Sequence, residues 1–212
     1  MLSPNSLQFI RDLSENNSKI WLTANKRRYQ EQLEEPTKLF AKQLNQYLSK
    51  ITGHHLACKI FRLQKDTRFA KDKLPYSAKV HLCFYMGSTN APAFYFGLEP
   101  DKLVVGAGAW EFGKDEVAFF RPAVEGTRGE ELVSILENLA KLGYAQMGED
   151  YKKIDKAHLE HPRKELMYKK GLSVWREWTN DEDIFFLLKN AQTFFQNYQD
   201  VLPFYQWLTA RP

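Results

Sequence analysis

The sequence predicts an α+β fold, a central antiparallel meander flanked by helices from the N-terminal and C-terminal ends of one domain spanning residues 1–212. Three observations lead there. Apolar residues recur at helical spacing over roughly the first fifty positions, and alternate with period two through most of residues 56–110. They then return to helical spacing. The short connections around residues 87–92 and 99–102 leave no room for a parallel crossover, which needs a dozen residues or more.

Each element has its own punctuation. Ser3 caps a first helix with Pro4 at its opening position, and Leu7, Ile10 and Leu13 share a face. Asn16 and Asn17 break it. Ser18 starts a second helix, expected to run through Trp21 and Tyr29 to about Glu34. Pro36 suits the first turn of a third, in which Phe40, Leu44, Tyr47, Leu48 and Ile51 repeat until Gly53 stops it. Strands follow on Leu56, Cys58 and Ile60, on Val80, Leu82, Phe84 and Met86, on Phe94, Phe96 and Leu98, and on Leu103, Val105, Ala107 and Ala109. Thr127 and Glu130 have the spacing of a capping box before Leu132, Ile135, Leu136 and Leu139, with Gly143 at the end. His161-Pro162 opens a short helix that Gly171 closes. Leu172–Trp178 alternates again and is expected as an edge strand. Asn180 caps a long helix with Asp181, Glu182 and Asp183 in its first turn and Ile184, Leu187, Leu188, Ala191, Phe195 and Tyr198 along its buried stripe.

Composition narrows the class. At 43% hydrophobic and 26% charged, the chain has the balance of a globular protein, and its 14% aromatic content is enough for a rigid core. Only Cys58 and Cys83 occur, with no CxxC. Each stands among alternating apolar residues, so both are expected as buried, reduced thiols. No signal peptide opens the chain and no apolar run reaches membrane-span length, which makes the cytoplasm the expected location. The net charge of +4 is too small by itself to imply nucleic acid.

The distribution of that charge says more. Between residues 59 and 79 stand Lys59, Arg62, Lys65, Arg68, Lys71, Lys73 and Lys79 against Asp66 and Asp72 alone, a local +5 that leaves the rest of the chain about neutral. Residues 65–77 resemble the signature Arg-Asp-x-Arg-Phe-Ser-Lys-Asp-Lys-x-Pro-Tyr-Lys of domain of unknown function family 2461. Asp66, Arg68, Phe69, Lys71, Asp72, Lys73, Pro75 and Tyr76 stand at signature positions, while Lys65, Ala70 and Ser77 depart from it. Asn16, Asn17 and Trp21, the Gly106-x-Gly108-x-Trp110 stretch and His161-Pro162 are similar to the family as well, so the resemblance covers nearly the whole chain. It implies a site at the charged turn and no particular reaction.

Arginine offers a planar fork of donors suited to phosphate or carboxylate, and lysine a mobile point charge. The expectation is therefore a phosphorylated or otherwise anionic small ligand gripped by Arg62, Arg68, Lys71 and Lys73. Asp66 and Asp72 would orient the grip, and Phe69 or Trp110 would wall it. Asp66, Asp72 and Tyr76 are the general acid–base candidates should the site catalyse anything. The alternative is an interaction module docking the same surface on nucleic acid or an acidic protein. A solvated, salt-bridged turn would explain the cluster structurally.

Other signals point elsewhere. His158 and His161 are one residue short of the spacing of a helical zinc site, so no metal is expected, and His161 reads as a helix cap. His54 and His55 fall in a loop. Gly106 and Gly108 lack the third glycine and following helix of a dinucleotide fingerprint, so no such cofactor is expected. In a strand they mark a bulge or a close backbone approach. Trp110 beside them reads either as core or as a platform for a base or sugar.

Overall fold

The computed structural model describes residues 1–66, 68, 72–87, 91–152 and 160–210. Helix α1 (Pro4–Glu15) begins where Ser3 and Pro4 predict, with the Ser3 N–H donating to Ser6 Oγ at 3.2 Å and Leu7, Ile10 and Leu13 fully buried. The helix expected over 18–34 is instead three pieces. Ser18 caps α2 (Lys19–Ala24), its side chain accepting from the Trp21 N–H. Asn25 ends α2 because its side-chain amide also donates to the Trp21 carbonyl, competing with the helix backbone. After α3 (Lys26–Tyr29) the chain widens into a π-helical turn, Gln30–Glu34, and continues into α4 (Glu35–Thr52). Pro36 has no N–H to give the preceding turn, and the wider register just upstream accommodates that loss. Gly53, at φ 73°, closes α4 in the left-handed conformation.

The sheet joins β1 (Ala57–Ile60), β2 (Val80–Tyr85), β3 (Ala93–Leu98), β4 (Leu103–Ala109), β5 (Ala145–Met147) and β6 (Leu172–Trp178) in the order β1-β2-β3-β4-β6-β5, every pair antiparallel. The meander over residues 56–110 is as expected. Leu172–Trp178, expected at an edge, is interior: β5 covers its outer side. The three residues of β5, Ala-Gln-Met, are all exposed and too few to alternate, which is why β5 left no period in the sequence.

In the second half, α5 (Lys114–Glu125) is an element the sequence reading did not place, and α6 (Thr127–Lys141) follows it. Gly126, in extended conformation, is the N-cap of α6 and Thr127 already lies inside the helix, so the expected Thr127–Glu130 capping box does not form. His161 does cap the turn before α7 (Lys164–Met167), its Nδ1 accepting from the Arg163 N–H at 3.1 Å. Asn180 caps α8 (Asp181–Lys189) by accepting from the Glu182 N–H at 2.8 Å. The long helix expected from there breaks at Asn190, whose amide donates to the Phe186 carbonyl, and α9 (Ala191–Thr209) starts anew.

Antiparallel partners share a face, so the register sorts the sheet into two sides. Leu82, Phe84, Phe94, Phe96, Val105, Ala107 and Val174 face the helices, in a core that gathers residues from Leu2 to Leu208. Phe94 stacks on Tyr205 at 4.2 Å between ring centroids, and Phe40 and Phe194 both pack on Phe96. The other side carries the rows Lys59–Cys83–Tyr95–Gly106–Trp175 and His81–Gly97–Val104–Glu177. Its small apolar cluster is made of strand residues: Cys83, Ala93 and Tyr95, with Tyr85 and Trp175 against them. Cys83 is buried there, but Cys58 is exposed, because β1 is an edge strand with all four residues at the surface. No helix among the described residues is long and apolar enough to cross a membrane.

Candidate functional site

The charged segment is a continuation of the β1–β2 hairpin. Gln64 bridges Tyr76, the Lys65 N–H donates to the Pro75 carbonyl at 2.9 Å, and the Ser77 N–H donates to the Leu63 carbonyl at 2.7 Å. A brace from the N-terminal helices fixes it. Asn17 Nδ2 donates to the Tyr76 carbonyl at 2.9 Å while the Tyr76 N–H donates to Asn17 Oδ1 at 3.0 Å. Leu63 and the Tyr76 ring pack against the core, so Tyr76 anchors the hairpin rather than presenting a free ring at its tip.

Both aspartates are committed inside the hairpin. Arg68 donates Nε and Nη2 to the two oxygens of Asp66, at 2.9 and 2.7 Å, and Lys65 Nζ reaches both oxygens of Asp72 at 2.9 and 2.6 Å. The Arg68 hydrogen bonds hold the Asp66 carboxyl below the usual carboxylate range, and Lys65 does the same for Asp72. Both are therefore ionised and hydrogen-bonded near neutral pH, a poor state for a general acid. Lys73 stands at the tip in left-handed backbone, φ 53°. Phe69 and Lys71, expected in the grip, lie outside the described residues, as does His158.

Arg62 does something the sequence did not foresee. It is exposed at the root of the hairpin, makes no ion pair among the described residues, and lines a cavity of about 280 Å³ shared with Lys38, Lys79, Glu34 and Thr37. Lys38 is held by Glu34 and Glu35 at 3.1 and 2.8 Å. Thr37 is only 5% exposed, and its hydroxyl has no hydrogen-bond partner among the described residues. The π-helical turn supplies Glu34 and Leu33 to the same wall, and such bulges often accompany functional positions.

Trp110 belongs to a second place. It is 63% exposed, with ring centroids 5.3 Å from Trp175 and 6.1 Å from Tyr95, on the side of the sheet away from the core helices. There a groove of about 400 Å³ runs from Phe61 to Met147. His81 Nε2 stands 2.7 Å from Glu99 Oε1 on one wall, and Lys102 Nζ donates to Glu177 at 2.8 Å on another. Burial pushes the His81 imidazole below its ordinary pKa, Lys79 and Lys102 push the same way, and the Glu99 carboxylate only partly offsets them. Gly97 lines the floor, and Gly106 lies against Trp175. A Cβ on Gly106 would stand 2.5 Å from Trp175 Cε3, and one on Gly97 would be 3.3 Å from the His81 ring. The close approach expected at Gly106 is thus real, and what a side chain there would meet is the Trp175 indole and, at 2.7 Å, the Val174 carbonyl oxygen.

The structure therefore joins Asp66 to Arg68 and Asp72 to Lys65, gives Arg62 a cavity, and seats Trp110 among other aromatics. Lys38, Thr37, His81, Glu99, Tyr95 and Trp175 had escaped the sequence reading. For the last two a signal existed: they are aromatic residues on the strand parity opposite to the core, opposite a glycine. A family model described as conserved hypothetical protein (DUF2461) matches residues 5–207. The chain belongs to the DUF2461 family. The matched span includes Asn17, the charged hairpin, Trp110 and His161, so the brace and both cavities lie within the part shared with DUF2461. Comparison with curated proteins finds no match.

Proposed function

We propose that this DUF2461 protein binds a small anionic ligand, phosphorylated or carboxylate-bearing, at the charged hairpin 62–76, and that it does so in the cytoplasm. The observation that carries the reading is the cavity at the hairpin root, where Arg62, with no ion pair among the described residues, stands beside Lys38, held by Glu34 and Glu35, and Lys79, whose Nζ lies 4.0 Å from Glu99. A concave site with surplus positive charge attracts an anion more strongly than a flat, fully solvated cluster does, because its walls keep water from screening the charges. Arg62 has its guanidinium fork uncommitted among the described residues and supplies bidentate geometry. The Thr37 hydroxyl is a donor without a partner there. Seven basic residues against two aspartates between 59 and 79 repel one another, and a bound anion relieves that repulsion. The two unpaired cysteines are consistent with a reducing compartment.

The test is thermal stability against inorganic phosphate and citrate at constant ionic strength, with chloride as the control. A ligand that binds only the folded state raises Tm progressively with its concentration. Wild type is expected to rise with phosphate or citrate beyond the chloride control, and Arg62→Ala to lose that rise while keeping the unliganded Tm. Equal effects of all three salts would overturn the reading. A response confined to long polyanions, weakening steeply with salt, would instead favour docking on nucleic acid.

A further inference from the structure

The groove on the side of the sheet away from the core helices shares only Phe61 with the hairpin cavity, and its chemistry differs. From it we infer a binding site for a flat heteroaromatic ring of nucleobase type, stacked on Trp110 and Trp175. This inference stands apart from the anion reading and would survive its failure.

The floor is built to present ring faces. Tyr95 and Trp175 lie stacked, centroids 5.1 Å apart and planes 29° from parallel, and Trp110 stands against them at 72° to Tyr95 and 44° to Trp175. One polar handle of the floor is tied down, since Trp175 Nε1–H donates to Ser173 Oγ at 2.8 Å, and Tyr95 packs against Cys83. What remains open is the Trp110 ring, with Trp175 half-buried beside it and Tyr95 buried beneath. Gly97 and Gly106 are what let the His81 and Trp175 rings lie that low.

The rim decides the kind of ring. His81 is paired with Glu99, and Lys102 with Glu177, so the charged side chains that line the groove among the described residues leave no surplus cation for a phosphate. A pyranose needs hydrogen-bond partners around most of its circumference, and these side chains already engage one another. A nucleobase needs them along one edge only, for which the second carboxylate oxygen of Glu99 and the remaining ammonium protons of Lys102 suffice, while every base has a π face to stack. The cavity of about 400 Å³ falls within the range of small-molecule sites.

Titration calorimetry and tryptophan fluorescence with adenosine and uridine, neither of which carries a phosphate, test the inference. Saturable quenching and heat are expected for wild type. Trp110→Ala should weaken binding by about tenfold or more, the loss of one base–aromatic stack, and Trp110→Phe should recover part of it. Trp110 is exposed, so both variants are expected to keep the wild-type Tm. Absence of saturable binding up to the solubility limit would overturn the inference. So would unchanged affinity in Trp110→Ala, or equal binding of a glucose oligomer. Inorganic phosphate, which probes the hairpin, should leave the fluorescence unchanged, so each reading can fail without the other.

Discussion

Asn17 is the smallest change that separates a braced hairpin from a floppy one. Its amide makes two hydrogen bonds to the backbone of Tyr76, 59 residues away, donating to the carbonyl at 2.9 Å and accepting from the N–H at 3.0 Å. Asn17→Ala removes both. At a net of roughly 0.5–1.5 kcal/mol each, the loss is about 1–3 kcal/mol, with the upper end applying if Tyr76 stays shielded from water. For a chain of this length that corresponds to a fall in Tm of roughly 2–12 °C. Denaturant unfolding should show a lower midpoint with an unchanged slope, and hydrogen exchange at the Tyr76 amide should accelerate. Asn17→Asp sharpens the test. The ionised carboxylate still accepts from the Tyr76 N–H but puts an oxygen opposite the Tyr76 carbonyl. Only its protonated form can donate there, so its folded-state pKa is raised. A raised pKa contributes stability at low pH that is lost as pH climbs through the folded value. The Asp variant should therefore gain on the Ala variant as pH is lowered towards the ordinary carboxyl range. An Ala variant within about 0.5 kcal/mol of wild type, with Tyr76 exchange unaltered, would refute the brace.

Three further outcomes follow from the geometry. Gly106→Ala should destabilise by about 1–3 kcal/mol and red-shift tryptophan emission, because its Cβ would stand 2.5 Å from Trp175 Cε3 and 2.7 Å from the rigid Val174 carbonyl; an unaltered spectrum would mean Trp175 does not lie against Gly106. Burial lowers the His81 pKa, so the unfolded chain binds more protons just below the ordinary histidine value; stability should fall as pH drops below about 6.5, and His81→Gln should flatten that slope. Burial pushes the Cys58 and Cys83 thiols up to about 11, yet only Cys58 is exposed. A thiol reagent should modify Cys58 slowly at pH 8, faster by about tenfold per pH unit as the thiolate fraction grows, and reach Cys83 only on unfolding; prompt labelling of Cys83 would contradict its place under Tyr95.

The fold was legible wherever one physical signal acted alone. The meander showed because period two is unambiguous when one side of a sheet is buried, and Ser3-Pro4, Gly53 and Asn180 each act through their own backbone geometry. Misreadings came where two signals competed. Helical periodicity runs straight through Asn25 and Asn190, but each side-chain amide captures a backbone carbonyl and ends the helix. Cys58 alternates like a core residue, yet alternation fixes only which side of a strand it faces; lying at the edge depends on strand order, which is a long-range fact. The charged hairpin was legible as composition. That its aspartates would be consumed internally, and that Lys38 and Thr37 would close a cavity against Arg62, depends on the packing of α4 beside β1, which no local pattern encodes.

Strand β4 carries a sequence signal for the groove beside it. All seven of its residues are buried, although the core helices cover only one side of the sheet. A strand with one solvated side should alternate polar and apolar. Instead its outward positions are Val104, Gly106 and Gly108, and what shields them is not a helix but aromatic residues of adjoining segments, Trp175 over Gly106 and Tyr95 beside it. Such a layer leaves costly aromatic surface facing water at Trp110, an arrangement that fold stability alone does not require. Glycines on the outward parity of a strand, paired in register with aromatics, are therefore a different signal from glycines that bend a chain. In this DUF2461 protein they mark the strand that Trp175 and Tyr95 cover beside the groove.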